Sequence, residues 1–150
     1  MLKYSLAATA LLATIGLSAC LDDPAGPSCT PAAVSVTGTA GDTTITSSGL
    51  RYIQTEAGTN QLEARWCFGA QVSYIGTLAS DGSEFDRGTI PFTPGISSII
   101  PGFAQGVVGM KVDENRRLII PPNLAWGTTG NGAVPPNATV IFDVELIAVQ

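Results

Sequence analysis

The chain reads as an α+β protein in which a bent antiparallel β-sheet wraps around one short α-helix. Three observations lead there. First, Ile141-Phe142-Asp143-Val144-Glu145-Leu146 alternates, with Phe142, Val144 and Leu146 on one face and Asp143 and Glu145 on the other. A period of two marks a strand with one buried face and one wet face. Second, several other extended runs are separated by turn signals, of which Asp81-Gly82 is the strongest. Third, the period changes after Pro101: Phe103, Val107 and Met110 recur at i, i+4 and i+7 on one helical face.

The elements follow in chain order. A chain of 150 residues is one domain by prior. Residues 1–19 read as an export signal: Lys3 gives a positive start, Leu6 to Leu17 is uncharged, and Ser18-Ala19 are small. That run is too short to cross a bilayer as a helix. Leu17-Ser18-Ala19-Cys20 resembles the bacterial lipobox, which implies that Cys20 becomes a lipidated N-terminus; ordinary secretion is the simpler alternative. Leu21 directly after it, rather than Asp, resembles sorting to the outer membrane, so the expected location is its periplasmic face.

Residues 20–48 are rich in Pro, Gly, Ser, Thr and Ala and read as a flexible tether. Val34, Val36 and Ile45 offer a short edge strand within it. The domain spans 49–150. Its strands are expected at 50–55, at 71–78 with Val72, Tyr74, Gly76 and Leu78 on one face, around Phe85-Asp86, at 117–120 and at the closing run. Residues 87–97, broken by Gly88, Pro91, Pro94 and Gly95, read as irregular. The helix has Pro101 near its first position, and three glycines leave it dependent on packing against the sheet.

Charge and composition exclude several functions. The formal net charge is -5, and -6 once Lys3 leaves with the signal, with charged residues at 13%. Arg116-Arg117 is the one basic pair and reads as a solvated edge, so no nucleic-acid partner is expected. With no histidine, a Ser-His-Asp triad and histidine-based zinc sites are unavailable. Gly127-Thr128-Thr129-Gly130-Asn131-Gly132 fits neither dinucleotide nor P-loop spacing. Asp81, Glu84 and Asp86 lack a Ca²⁺-loop pattern and read as solvated acids at a turn. No metal or cofactor is expected. With Cys20 given to lipid, Cys29 and Cys67 remain; export favours a disulfide between them, and two free thiols are the alternative. From Arg117 to Asp143 no side chain ionises, and the loop there carries Trp126 between Pro121-Pro122 and Pro135-Pro136. Such a surface suits an apolar guest.

Three motifs in register carry a family resemblance. Val72, Tyr74, Gly76, Asp81-Gly82 and Phe85-Asp86 resemble the Val-x-Tyr-x-Gly, Asp-Gly and Phe-Asp run of the FKBP-type peptidyl-prolyl isomerases. Ile99-Ile100-Pro101-Gly102-Phe103 with Gly106 and Gly109-Met110 is similar to that family's helix. Ile120-Pro121-Pro122, Ala125-Trp126-Gly127, Val134 to Thr139 and Phe142 to Leu146 follow its C-terminal signature. The resemblance covers about 49–149, the whole domain.

It implies an apolar pocket for a proline side chain. Tyr74, Phe85, Phe92 and Phe142 would line it, and Phe103 would be its floor. Ile99 and Ile100 would form a lip, with the Ile100 backbone N–H holding a peptide carbonyl. Asp86 would be the polar group of the wall, and Trp126, Ala133 and Val134 the loop side. It further implies rotamase activity on X–Pro bonds of exported clients, and inhibition by tacrolimus-type macrolides. Read without the resemblance, Tyr74, Phe85 and Phe142 are better read as ordinary core. The sequence departs from the family in having Trp126 for the usual Tyr, Phe103 for the usual Trp and a shorter stretch from Asp86 to Ile99, where Phe92 and Arg87 fall. A non-catalytic chaperone or peptide-binding module on the same fold, and a purely structural lipoprotein, are the alternatives.

Overall fold

The computed structural model describes residues 36–40 and 43–150. The expected signal, Cys20, Cys29 and Val34 lie outside the described residues. Seven strands run β1 Val36–Ala40, β2 Thr43–Thr46, β3 Arg51–Glu56, β4 Ala70–Leu78, β5 Glu84–Phe92, β6 Asn115–Ile120 and β7 Val140–Val149. They form one antiparallel sheet in the order β1-β2-β3-β6-β7-β4-β5. The helix α1, Pro101–Val107, packs on β6 and β7. A 3-10 turn at Pro122–Leu124 follows β6.

β7 holds the centre. Its alternation appears as expected, with Val140, Phe142, Val144 and Leu146 buried. It pairs with β6 from Ile120↔Val140 to Asn115↔Glu145 and with β4 along its whole length. In β4, Val72, Gly76 and Leu78 turn inward. Leu50, Val107, Met110, Leu118 and Ile120 complete the core.

Two segments differ from expectation. Within the stretch read as a tether as far as residue 48, the edge strand offered by Val36 and Ile45 appears, and it is a pair: β1 and β2 bond to each other and extend the sheet beyond β3. An edge pair draws on backbone ladder bonds and on threonine-rich strand preference, and it needs little apolar periodicity. Where 87–97 is expected to be irregular, β5 continues to Phe92 against β4. It is an edge strand and needs a ladder on one side only, so Pro91 is tolerated there. Only the following turn is irregular, where the N–H groups of Ile96 and Ser97 both reach the Thr93 carbonyl.

The Arg116-Arg117 pair is split by the pleat, which sends neighbours to opposite faces. Arg117 stays exposed and forks onto Asp143 at 2.7 and 2.9 Å. Arg116 is 7% exposed, a correction to the solvated-edge reading. Its guanidinium lies 4.5 Å over the Tyr52 ring and bonds to Glu114, itself 2% exposed, at 2.6 and 2.9 Å. It also donates to the Gly106 carbonyl at 2.9 Å. Last-turn carbonyls of a helix have no partner within the helix. The chain supplies one from β6, while Glu114 also accepts the Lys111 N–H at 3.0 Å. Gly106 brings the helix close to β6, since a Cβ there would stand 2.5 Å from Leu118 Cδ1.

Removing one partner of a buried ion pair strands the other charge, at a cost of about 3–5 kcal/mol. Glu114→Ala is therefore expected to lower unfolding stability by about that amount in urea titrations. A loss below about 1 kcal/mol, the range of an exposed pair, would contradict the role assigned to this bridge.

Candidate functional site

A cavity of about 270 Å³ opens between α1, the inner face of the sheet and the loop after the 3-10 turn. Its wall comprises Tyr74, Asp86, Ile90, Ser98, Ile99, Ile100, Phe103, Trp126, Asn131 and Phe142. That volume is slightly under the roughly 300 Å³ at which ligand pockets for drug-sized molecules begin. It suits one compact apolar side chain.

The walls are rings packed edge to face. Phe142 from β7 lies 5.1 Å from Phe103, 5.5 Å from Phe85 and 5.8 Å from Tyr74, centroid to centroid. Phe85 meets Trp126 at 5.8 Å and a right angle. Gly76 makes room, since a Cβ there would come within 2.9 Å of both Phe85 and Phe142. The register shift between Gly76 and Thr77 is a bulge in the β4–β5 ladder. A bulge lets two neighbours lean toward one face, and here Phe85 joins the ring cluster while Asp86 enters the cavity wall.

The polar groups are few and separately held. The Tyr74 hydroxyl donates to Asp86 Oδ2 at 2.9 Å. Burial, then the bond to Asp86 and its negative charge, push the Tyr74 hydroxyl above its ordinary pKa. The Ile100 N–H and the Trp126 indole N–H have no acceptor among the described residues. Glu84 pairs with Arg87, and Asp81 accepts from the Ser83 N–H and hydroxyl at 2.9 and 2.7 Å. The three acids of this turn thus have separate partners.

Two short segments are braced. The lip is set by the Thr93 turn and by Ile99 N–H donating to the Ser97 carbonyl at 2.9 Å. Cys67 N–H holds the Pro94 carbonyl at 3.0 Å, and Cys67 is disulfide-bonded. Its expected partner, Cys29, lies outside the described residues. The Trp126 loop is tied by Gly127 N–H to Pro122 O, Gly130 N–H to Trp126 O and Asn137 N–H to Gly127 O.

Of the residues expected at the site, Tyr74, Asp86, Ile99, Ile100, Phe103, Trp126 and Phe142 meet around the cavity. The other four lie outside its wall. Phe85 stands behind Trp126 and Phe142, and Phe92 packs behind Phe103 at 5.7 Å. Val134 is buried in the core, and Ala133 is exposed at the loop tip. Sequence reasoning missed Ile90, Ser98 and Asn131. Ile90 was legible had the alternation been followed through Gly88 and Pro91; for Ser98 the sequence holds no signal, and Asn131 is hidden in a glycine-rich run. A larger hollow of about 450 Å³ on the outer face is lined by Ser73, Ile75, Arg87, Asp143 and Glu145 among others. Its charged groups are already paired, so the smaller, ring-walled cavity is the better candidate.

Comparison with known proteins agrees with this geometry. The model of the FKBP-type peptidyl-prolyl cis-trans isomerase family matches residues 68–147, more than half of the chain. "FK506-binding protein 2" of Dictyostelium discoideum is 46% identical over 85 residues, 53% of this chain and 64% of that protein. "Peptidyl-prolyl cis-trans isomerase FPR2" of Saccharomyces cerevisiae is 45% identical over 86 residues, again 53% of this chain and 64% of that protein. The chain therefore spans less than two thirds of the length of these relatives. The crystal structure of FkpA from Escherichia coli superposes with a TM-score of 0.65 at 36% identity, covering 73% of this chain and 52% of that one. A peptidyl-prolyl cis-trans isomerase from Pseudomonas syringae pv. tomato gives a TM-score of 0.66 at 28% identity, covering 73% and 81%. The sheet, the helix and the matched residues make this chain a member of the FKBP-type peptidyl-prolyl cis-trans isomerase family.

Proposed function

We propose that this protein is a peptidyl-prolyl cis–trans isomerase acting on X–Pro bonds of exported polypeptides. The carrying observation is the side-chain-sized cavity walled by Tyr74, Ile90, Phe103, Trp126 and Phe142, with the unused N–H donors of Ile100 and Trp126 beside it. The barrier to rotation about a peptide bond is about 18–20 kcal/mol and comes from amide resonance. Uncatalysed X–Pro bonds therefore exchange over roughly tens to hundreds of seconds.

The chemistry needs no nucleophile. At the twisted transition state resonance is lost and the reacting carbonyl becomes less polar. A water-poor wall disfavours the polar planar amide more than the twisted one, which lowers the barrier between them. The proline ring fills the cavity over Phe103, the Ile100 N–H takes a client carbonyl, and the Trp126 indole N–H supplies a second donor. The Tyr74–Asp86 bond fixes the polar corner. Tacrolimus-type macrolides are expected to compete for the same cavity. A binding module without turnover is the second reading, and Trp126 favours it, because an indole N–H sits differently from a tyrosine hydroxyl. The signal-like start and Cys20 support an exported, lipid-anchored protein at the periplasmic face of the outer membrane, its tether leading to the folded domain.

Three outcomes are expected. In a coupled-protease assay the protein should accelerate cis-to-trans conversion of a proline tetrapeptide, tacrolimus should abolish the gain, and Trp126→Phe should reduce kcat/KM about five-fold, the worth of one hydrogen bond. A background rate with persisting peptide binding would leave the binding module standing. The rate should also stay level between about pH 6 and 9, because the chain has no histidine and Tyr74 keeps its proton to above its ordinary value near 10. The stability that Tyr74 gains from its neutral form is complete below that value and is lost as pH rises past its raised pKa; a rate inflection near neutrality would argue for proton transfer instead. Finally, mass spectrometry of the mature N-terminus should find diacylglycerol on Cys20, and an unmodified thiol there would refute the anchor.

A further inference from the structure

Asn131 and Ser98 are the polar side chains of the cavity wall that neither the sequence pattern nor the mechanism uses, and Asn131 is the one on the Trp126 loop. Its backbone is fixed: its N–H donates to the Val134 carbonyl and the Val134 N–H donates back, both at 2.9 Å. Its φ is ordinary, whereas Gly132 beside it takes the left-handed turn at +53°. The loop is held further by Gly130 N–H to the Trp126 carbonyl at 3.1 Å. The carboxamide itself has no hydrogen-bond partner among the described residues, yet it lines the cavity. A rigid backbone thus presents a free amide to whatever enters.

The inventory of the rim says what that amide meets. Ile100 N–H and the Trp126 indole N–H are donors, and they suit client carbonyls. The Tyr74 proton is already given to Asp86. A bound X–Pro–Y segment also brings the N–H groups of X and Y, because proline has none. Each N–H needs an acceptor once it leaves water. Asn131 Oδ1 is an uncharged acceptor in the same cavity wall and on the same loop as the Trp126 donor.

Resting on the prolyl-binding reading of this cavity, we propose that Asn131 is a specificity-determining residue whose carboxamide oxygen accepts the backbone N–H of the client residue flanking the proline. Binding then selects polypeptide backbone over ligands of similar apolar shape that lack that N–H.

The test uses the full chain, calorimetry for Kd and the tetrapeptide assay for turnover. The probes are a parent proline tetrapeptide and two analogues N-methylated at the residue before or after proline. Asn131→Ala should weaken parent binding about five-fold, the net worth of one neutral hydrogen bond. Asn131→Asp, which keeps an oxygen at that place, should bind the parent within about two-fold of the unsubstituted protein. One N-methylated analogue should bind the unsubstituted protein about five-fold more weakly and lose nothing further with Asn131→Ala. The inference is overturned if Asn131→Ala leaves parent binding within about two-fold, if Asn131→Asp loses as much, or if the loss persists on both analogues. Binding without turnover would refute the isomerase reading while the Kd ratios still decide the role of Asn131. No binding of the parent overturns both.

Discussion

The register of β7 is the constraint on which the rest depends. This strand lies between β6 and β4 and pairs with both. A slip of one residue would turn Phe142, Val144 and Leu146 outward and Asp143 and Glu145 into the core. The two flanking ladders forbid that, and the outer face adds Arg117–Asp143 and Ser73–Glu145 contacts that fit one register. Phe142 then stands within ring contact of Tyr74, Phe85 and Phe103. One backbone alignment therefore sets both the core and the back of the cavity.

The cavity floor hangs on a weaker element. Helix α1 has seven residues, Pro101 to Val107, and no side-chain cap at its start. Such a helix is not stable alone, because nucleation costs more than so few bonds return. Tertiary contacts carry it: Gly106 presses it onto Leu118, and Arg116 satisfies its last carbonyls from a neighbouring strand. The buried Arg116–Glu114 pair is thus tied to function through geometry, since the same helix carries Phe103.

The site itself is defined by what its polar groups leave undone. Tyr74 and Asp86 satisfy each other, while Ile100 N–H, Trp126 N–H and Asn131 remain available on braced segments. A site of this kind offers shape and a few fixed hydrogen bonds, which would suffice for the proposed reaction, in which no bond is broken. Bracing matters because a donor that wanders cannot favour one amide geometry over another.

Much of this was legible in the linear chain, for local reasons. Alternation in 141–146 and in Val72 to Leu78, the Asp81-Gly82 turn and the Pro101 helix start are short-range signals, and the strands, the turn and the helix follow them. The motif spacing likewise brought seven expected residues to one cavity. What stayed hidden depends on partners distant in sequence. Pairing with β4 turns the Pro- and Gly-broken stretch after Asp86 into an edge strand and so delivers Ile90. The pleat and the helix end draw Arg116 inward, though its neighbour looks identical in sequence. The bulge at Gly76 brings adjacent Phe85 and Asp86 toward one side, and loop closure places exposed Asn131 at the cavity. Period and spacing name the elements; burial and the direction of each polar side chain are long-range quantities, fixed only when distant strands meet.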